Sequence, residues 1–144
     1  MNSLPKFRAV LLQTARLMND EINNLLIPYK LNSSLWQALY IIQKKEGCTS
    51  IEISDYLNVS KPSITKRINA LIDLELLEQI PTEDKRQKKF ILSIKGEALF
   101  NTCSSLIDAF EQNILQKFNN NDLYITKNLL NQLNHTLLSS KQGA

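Results

Sequence analysis

Between Ser60 and Leu92 the chain gathers cationic and hydrogen-bonding side chains of types suited to a polyanion. Lys61, Lys66 and Arg67 supply cations for phosphate oxygens, while Ser60, Ser63, Thr65 and Asn69 supply donors and acceptors. No acid occurs from Ser60 to Ile72, and Lys85, Arg86, Lys88 and Lys89 place four cations within five residues. That is the chemistry of double-stranded DNA recognition. The formal net charge of +3 is too small to point there, so the distribution carries the argument. Enzyme chemistry finds little material: one histidine, and three glycines at 47, 96 and 143, which exclude most phosphate-cradling loops. The sequence predicts no catalytic role, no cofactor and no metal.

The elements that position these residues follow from local signals. Thr49-Ser50-Ile51-Glu52 has the form of a capping box, predicting a short helix to Leu57. Asn58 tolerates the left-handed conformation that ends a helix, and Ser60 is an N-cap for the next one. Pro62 falls in that helix's first turn, where a missing amide hydrogen breaks no bond. Ile64, Ile68, Leu71 and Ile72 are its predicted buried stripe, which turns Lys61, Ser63, Lys66, Arg67, Asn69 and partly Thr65 outward. This is a helix-turn-helix with a second helix suited to a major groove. Leu77 to Ile80 and Lys89 to Leu92 flank a polar loop opened by Pro81, predicting an antiparallel hairpin with basic residues at its tip.

Outside that segment the chain reads as helix. Phe7, Leu11, Ala15, Met18, Ile22 and Leu25 recur at spacings of three and four, and a second helix runs from about Ser34 to Lys45 with Leu35, Leu39 and Ile42 inward. Ser93 is positioned to cap a long helix to about Phe118, with Leu99, Cys103, Leu106, Phe110 and Ile114 on one side. A last helix is expected from Leu123 to about Leu138, with Leu130, Leu133 and Leu137 inward. At 144 residues and 43% hydrophobic the chain should fold, and the absence of a signal-like N-terminus or a membrane-length apolar run predicts a cytoplasmic protein with no membrane partner.

Two stretches resemble the MarR family of bacterial regulators. Leu57-Asn58-Val59-Ser60-Lys61-Pro62-Ser63-Ile64-Thr65 looks like the family's turn and the start of its recognition helix. Asp84-Lys85-Arg86, followed by Phe90-Ile91-Leu92-Ser93-Ile94-Lys95-Gly96, looks like its wing and the start of the helix after it, with Ser93 replacing the usual Thr. The resemblance covers nearly the whole chain. It implies a mainly α (α+β) fold: a winged helix-turn-helix with a two-stranded wing and a helical dimerisation region formed by the N- and C-terminal helices. Residues 1–144 would be a single MarR-type domain, with 33–92 as the DNA-binding module and 1–30 and 94–144 as dimerisation helices. Glu75 departs from the pattern, since relatives commonly carry Gly there; a left-handed backbone would cost Glu about 1 kcal/mol.

The resemblance implies further roles. Arg86 would enter or line the minor groove, with Asp84 holding the wing by pairing with a nearby cation. The chain would act as a homodimer on a pseudo-palindromic site, most simply as a repressor. Many relatives bind small aromatic or phenolic ligands near the dimer helices, and Arg16, Trp36 and Tyr40 are the candidate contacts here. Others respond to oxidants through a cysteine near the start of the first helix, which this helix lacks. Cys48 and Cys103 read as reduced, mostly buried thiols, with redox response through Cys48 as an alternative. A second alternative is a winged module that contacts a protein partner without DNA. It would require apolar anchors on the recognition helix, whose outward face is polar.

Overall fold

A computed structural model describes residues 6–84 and 86–142. The chain divides into two compact units, residues 1–107 and 108–144. The first begins with helix α1, Phe7–Leu26, and a 3-10 turn, Ile27–Tyr29, ended by Lys30 at φ 62°. Asn32 opens α2, Ser33–Lys44, by accepting from the Leu35 amide at 2.8 Å. The Asn23 side chain on α1 accepts from the Ser33 amide at 2.6 Å, fixing where α2 starts.

After α2 the backbone turns through Glu46 at φ 55° and Gly47 at φ 111°. Gly47 is required twice over: for its φ, and because a Cβ there would stand 2.9 Å from Ile91 Cγ2. The chain then enters strand β1, Cys48–Thr49, helix α3, Ser50–Leu57, and helix α4, Lys61–Asp73. Strands β2, Leu77–Ile80, and β3, Lys89–Leu92, pair antiparallel with Leu77 opposite Leu92 and Ile80 opposite Lys89. The expected two-stranded wing is therefore present, and β1 extends it to three strands in the order β1-β3-β2, with Cys48 opposite Phe90. Helix α5, Ile94–Leu115, follows. The core of this unit joins Leu26, Leu39, Ile42, Ile53, Ile64 and Leu71, with Phe90 and Leu92 from the sheet.

In the second unit, α5 stops at Leu115 rather than near Phe118, and α6 spans Asn120–Gln142 rather than starting at Leu123. Asn119 sets that start, its side chain accepting from the amides of Asn121 at 2.7 Å and Asp122 at 3.3 Å. Leu130 and Leu133 are half-buried, while Leu137, expected inward, is exposed along with Tyr124, Ile125 and Leu129. Two further apolar residues expected inward differ. Ile72 is 40% exposed because Ile64, Ile68 and Leu71 already define the buried line of α4 and Ile72 stands about 70° round from its centre. Leu106 is exposed on α5. On α1, Leu11, Met18, Ile22 and Leu25 are half-buried as a seam, whereas Phe7 and Ala15, expected to belong to it, are exposed along with Val10, Leu12 and Leu17.

Candidate nucleic-acid interface

The turn before α4 is held by short-range bonds. Thr49 and Glu52 form the complete capping box: Glu52 N donates to Thr49 Oγ1 at 3.2 Å, and Thr49 N donates to Glu52 Oε1 at 3.0 Å. The bond from the Thr49 amide holds the Glu52 carboxyl below its usual range, since it favours the ionised form. Asn58 ends α3 at φ 55°. Ser54, nearly buried, donates its hydroxyl to the Val59 carbonyl at 2.5 Å and locks the turn from beneath. Nothing in its spacing singled Ser54 out. Ser60 then caps α4 by accepting from the Ser63 amide at 3.4 Å, with Pro62 in the first turn.

This frame leaves Ser60, Lys61, Ser63, Thr65, Lys66 and Asn69 exposed. Arg67 differs: it is half-buried, and its Nη1 donates to Gln37 Oε1 on α2 at 3.3 Å. Gln37 carried no sequence signal, because its contact spans thirty residues of chain.

In the wing, Arg86 and Lys88 are exposed; Lys85 lies outside the described residues. Asp84 positions the loop through backbone rather than through a cation among the described residues. Its Oδ1 accepts from the Arg86 amide at 2.9 Å, the geometry of an Asx turn. The Asp84 carbonyl accepts from the Gln87 amide at 3.0 Å. Thr82 closes the loop, its Oγ1 lying 2.5 Å from the Asp84 carbonyl oxygen and 2.8 Å from that of Gln87.

The junction from α4 to the sheet is left-handed at Glu75, φ 63°, as the Gly-like position predicts. Ser93 ties it down: its amide donates to the Leu76 carbonyl at 2.9 Å, and its hydroxyl donates to the Glu75 carbonyl at 2.7 Å while accepting from the Gly96 amide at 3.0 Å. One side chain thus caps α5 and clamps the end of α4. The Glu75 carboxylate reaches Lys95 at 3.7 Å in an exposed pair.

The three candidate ligand contacts are not drawn to one place. Trp36 stacks on Phe100 with centroids 5.0 Å apart, and Tyr40 tilts against the same ring at 6.3 Å. Arg16 instead lines a surface hollow on α1 with Gln13, Leu17, Asn19 and Asp20. Cys48 is fully buried, and burial, with Glu52 nearby, pushes its thiol up to about 11; burial raises Cys103 as well. Both stay in the thiol form that oxidants attack poorly. Among the described residues no group of three His, Cys, Asp or Glu is placed to hold a metal, and no helix is long and apolar enough to cross a membrane.

Residues 29–87, from the 3-10 turn to the wing, match the MarR family profile. Over 110 residues the chain is 33% identical to the uncharacterized HTH-type transcriptional regulator YwoH of Bacillus subtilis (strain 168), covering 76% of this chain and 80% of that one. Among solved structures it resembles the S. aureus MepR–DNA complex at a TM-score of 0.83 and 17% identity, covering 93% of this chain and 99% of that one. It also resembles NadR in complex with 4-hydroxyphenylacetate, at a TM-score of 0.76 and 16% identity over 92% and 95% of the two chains. The chain belongs to the MarR family of helix-turn-helix transcriptional regulators. Its place is among regulators, not enzymes.

Proposed function

We propose that the chain is a cytoplasmic homodimeric repressor that reads double-stranded DNA at a pseudo-palindromic site and is released by a small aromatic or phenolic ligand. The observation that carries the reading is the exposed face of α4, free of acid until Asp73 at its last residue, where Lys61, Ser63, Thr65, Lys66 and Asn69 stand together behind the Ser60 cap. Cations in this set grip phosphates, and Asn69 and Thr65 are of the type that reads base edges. Exposed Arg86 at the wing tip suits the minor groove, with Lys85 and Lys88 adding backbone grip.

Dimerisation is supported by the exposed apolar residues of α1 and α6, because large apolar surfaces on a monomer mark interaction sites. Residues 1–30 and 94–144 would form the interface and 33–92 the reader. Two-fold symmetry then presents two α4 helices to successive major grooves about 34 to 36 Å apart. The ligand role rests on the Trp36, Tyr40 and Phe100 rings and on the 4-hydroxyphenylacetate bound by NadR; Arg16, in its own hollow on α1, stands apart from these rings.

Binding-site selection from random DNA with the purified protein tests the reading in one step. An inverted repeat with half-sites one helical turn apart is expected. Selection of no sequence, or a monomer by sedimentation at micromolar concentration, would overturn it.

A further inference from the structure

We infer that Arg67 is an anchor for the DNA backbone aimed by Gln37, so that α4 divides its work between two rows of side chains. The inference rests on the DNA-reading role of α4 proposed above and deepens it. Ser63, Lys66, Arg67 and Ala70 follow one another at spacings of three and one, forming a stripe along the side of α4 that borders α2. Together with Asn32, Ser34 and Leu35 they line an open groove of about 330 Å³. Lys61, Thr65 and Asn69 form the other row, at spacings of four, and take no part in that groove.

Arg67 is the one cation of α4 that is not fully exposed, and it is tied sideways to α2 through Gln37. A guanidinium has five N–H donors in a planar fork. Gln37 occupies part of that fork and leaves the rest for a phosphodiester, the group whose geometry the fork matches. The brace is a neutral amide, so it orients the guanidinium without cancelling its charge. Ala70, one turn on, has no long side chain to fill the space beside it. A guanidinium held toward α2 stands at the rim of the reading face, where the sugar-phosphate chain runs, and away from the Thr65–Asn69 row that faces bases. Arg67 thus supplies grip, and Gln37 is its positioning residue.

The test is equilibrium binding of the full-length protein to its selected DNA across a salt series, with Arg67→Ala, Gln37→Ala, the double variant and Gln37→Glu. Arg67→Ala is expected to flatten the slope of log affinity against log salt by about 0.9 for each phosphate that is no longer neutralised, leaving the selected base preference unchanged. Gln37→Ala should weaken binding by roughly two- to tenfold, the range of one hydrogen bond, and have no further effect once Arg67 is gone. Gln37→Glu should flatten the slope as Arg67→Ala does, because a carboxylate would pair with the guanidinium. Gln37 is exposed and Arg67 lies outside the buried line of α4, so the variants are expected to keep the fold, checked for each by its thermal midpoint. An intact slope with relaxed preference at one base pair would assign Arg67 to a base. Equal losses from Gln37→Ala in both backgrounds would remove Gln37 as the brace. Wild-type protein with no salt-steep DNA binding would fail the DNA-reading role itself, a result distinct from both.

Discussion

Gly96 rides directly over the backbone carbonyl of Leu76: a Cβ on Gly96 would press into that oxygen and stand 3.1 Å from its carbon. The first turn of α5 can therefore sit on the junction between α4 and β2 only because residue 96 has no side chain. Ser93, three residues earlier, bonds the same junction from the other side.

Gly96→Ala should accordingly destabilise the first unit by about 1–3 kcal/mol, the usual range for overpacking a tight site where only backbone is available to move. Urea unfolding monitored by circular dichroism would show it as a lower midpoint with an unchanged slope.

Glu75→Gly should act in the opposite direction. At φ 63° a Cβ is strained, and the pair with Lys95 that the substitution removes is exposed and contributes little. A gain of about 0.5–1 kcal/mol is expected in the same unfolding measurement. A loss would mean that the Lys95 pair outweighs the backbone strain.

Asp84→Asn and Asp84→Ala should separate two ways of holding a wing. The Asp84 carboxylate accepts from the Arg86 amide, and an Asn carbonyl can do the same. We expect Asp84→Asn to bind the selected DNA nearly as wild type and Asp84→Ala to lose about fivefold, the worth of roughly 1 kcal/mol. Equal losses in both would indicate that the charge itself matters.

Two groups predict how stability follows pH. Glu52 has a depressed pKa in the fold, first because of the Thr49 amide, so its contribution is present above the ordinary carboxyl value of 4.5 and fades as pH falls. Wild type and Glu52→Gln should converge in acid and diverge toward neutrality. Cys48 is raised from 9.0 to about 11, so the folded state keeps its proton and stability erodes as pH climbs above 9. Cys48→Ala should show a shallower alkaline decline, with the raised thiol of Cys103 still contributing to it. A thiol reagent at neutral pH should label neither cysteine until the protein is unfolded, since both are buried.

Features legible in the sequence share a short range. The Thr49–Glu52 box, the left-handed Asn58 and the Ser60 cap each act across three residues or fewer, so their residue types suffice to announce them. The helices follow from apolar period, and Glu75 stands out by its departure from a resembling pattern. What escaped depends on distant parts of the chain. Strand β1 has two residues and exists only because β3 lies beside it. Gln37 gains its meaning from Arg67, and Phe100 from Trp36 and Tyr40. The exposure of Ile72, Leu106 and Leu137 was hidden for another reason: hydrophobic spacing marks a stripe without giving its edges.

The pairing of Cys48 and Thr49 with Phe90 and Lys89 makes the root of the hairpin and the start of α3 one hydrogen-bonded piece. Backbone fixed in this way has little conformational entropy left to lose when a duplex arrives. In the proposed complex the ordering cost of fitting the hairpin to DNA would then fall on the segment between β2 and β3, at about 1–2 kcal/mol for each residue that must be immobilised. Thr82 and Asp84 already fix part of that loop before any partner is met. Under the proposed role of the wing, adaptation to flanking DNA would be confined to a tip on a rigid mount, and loop stiffness, rather than a hinge at the strands, would set how much variation in groove width the hairpin can follow.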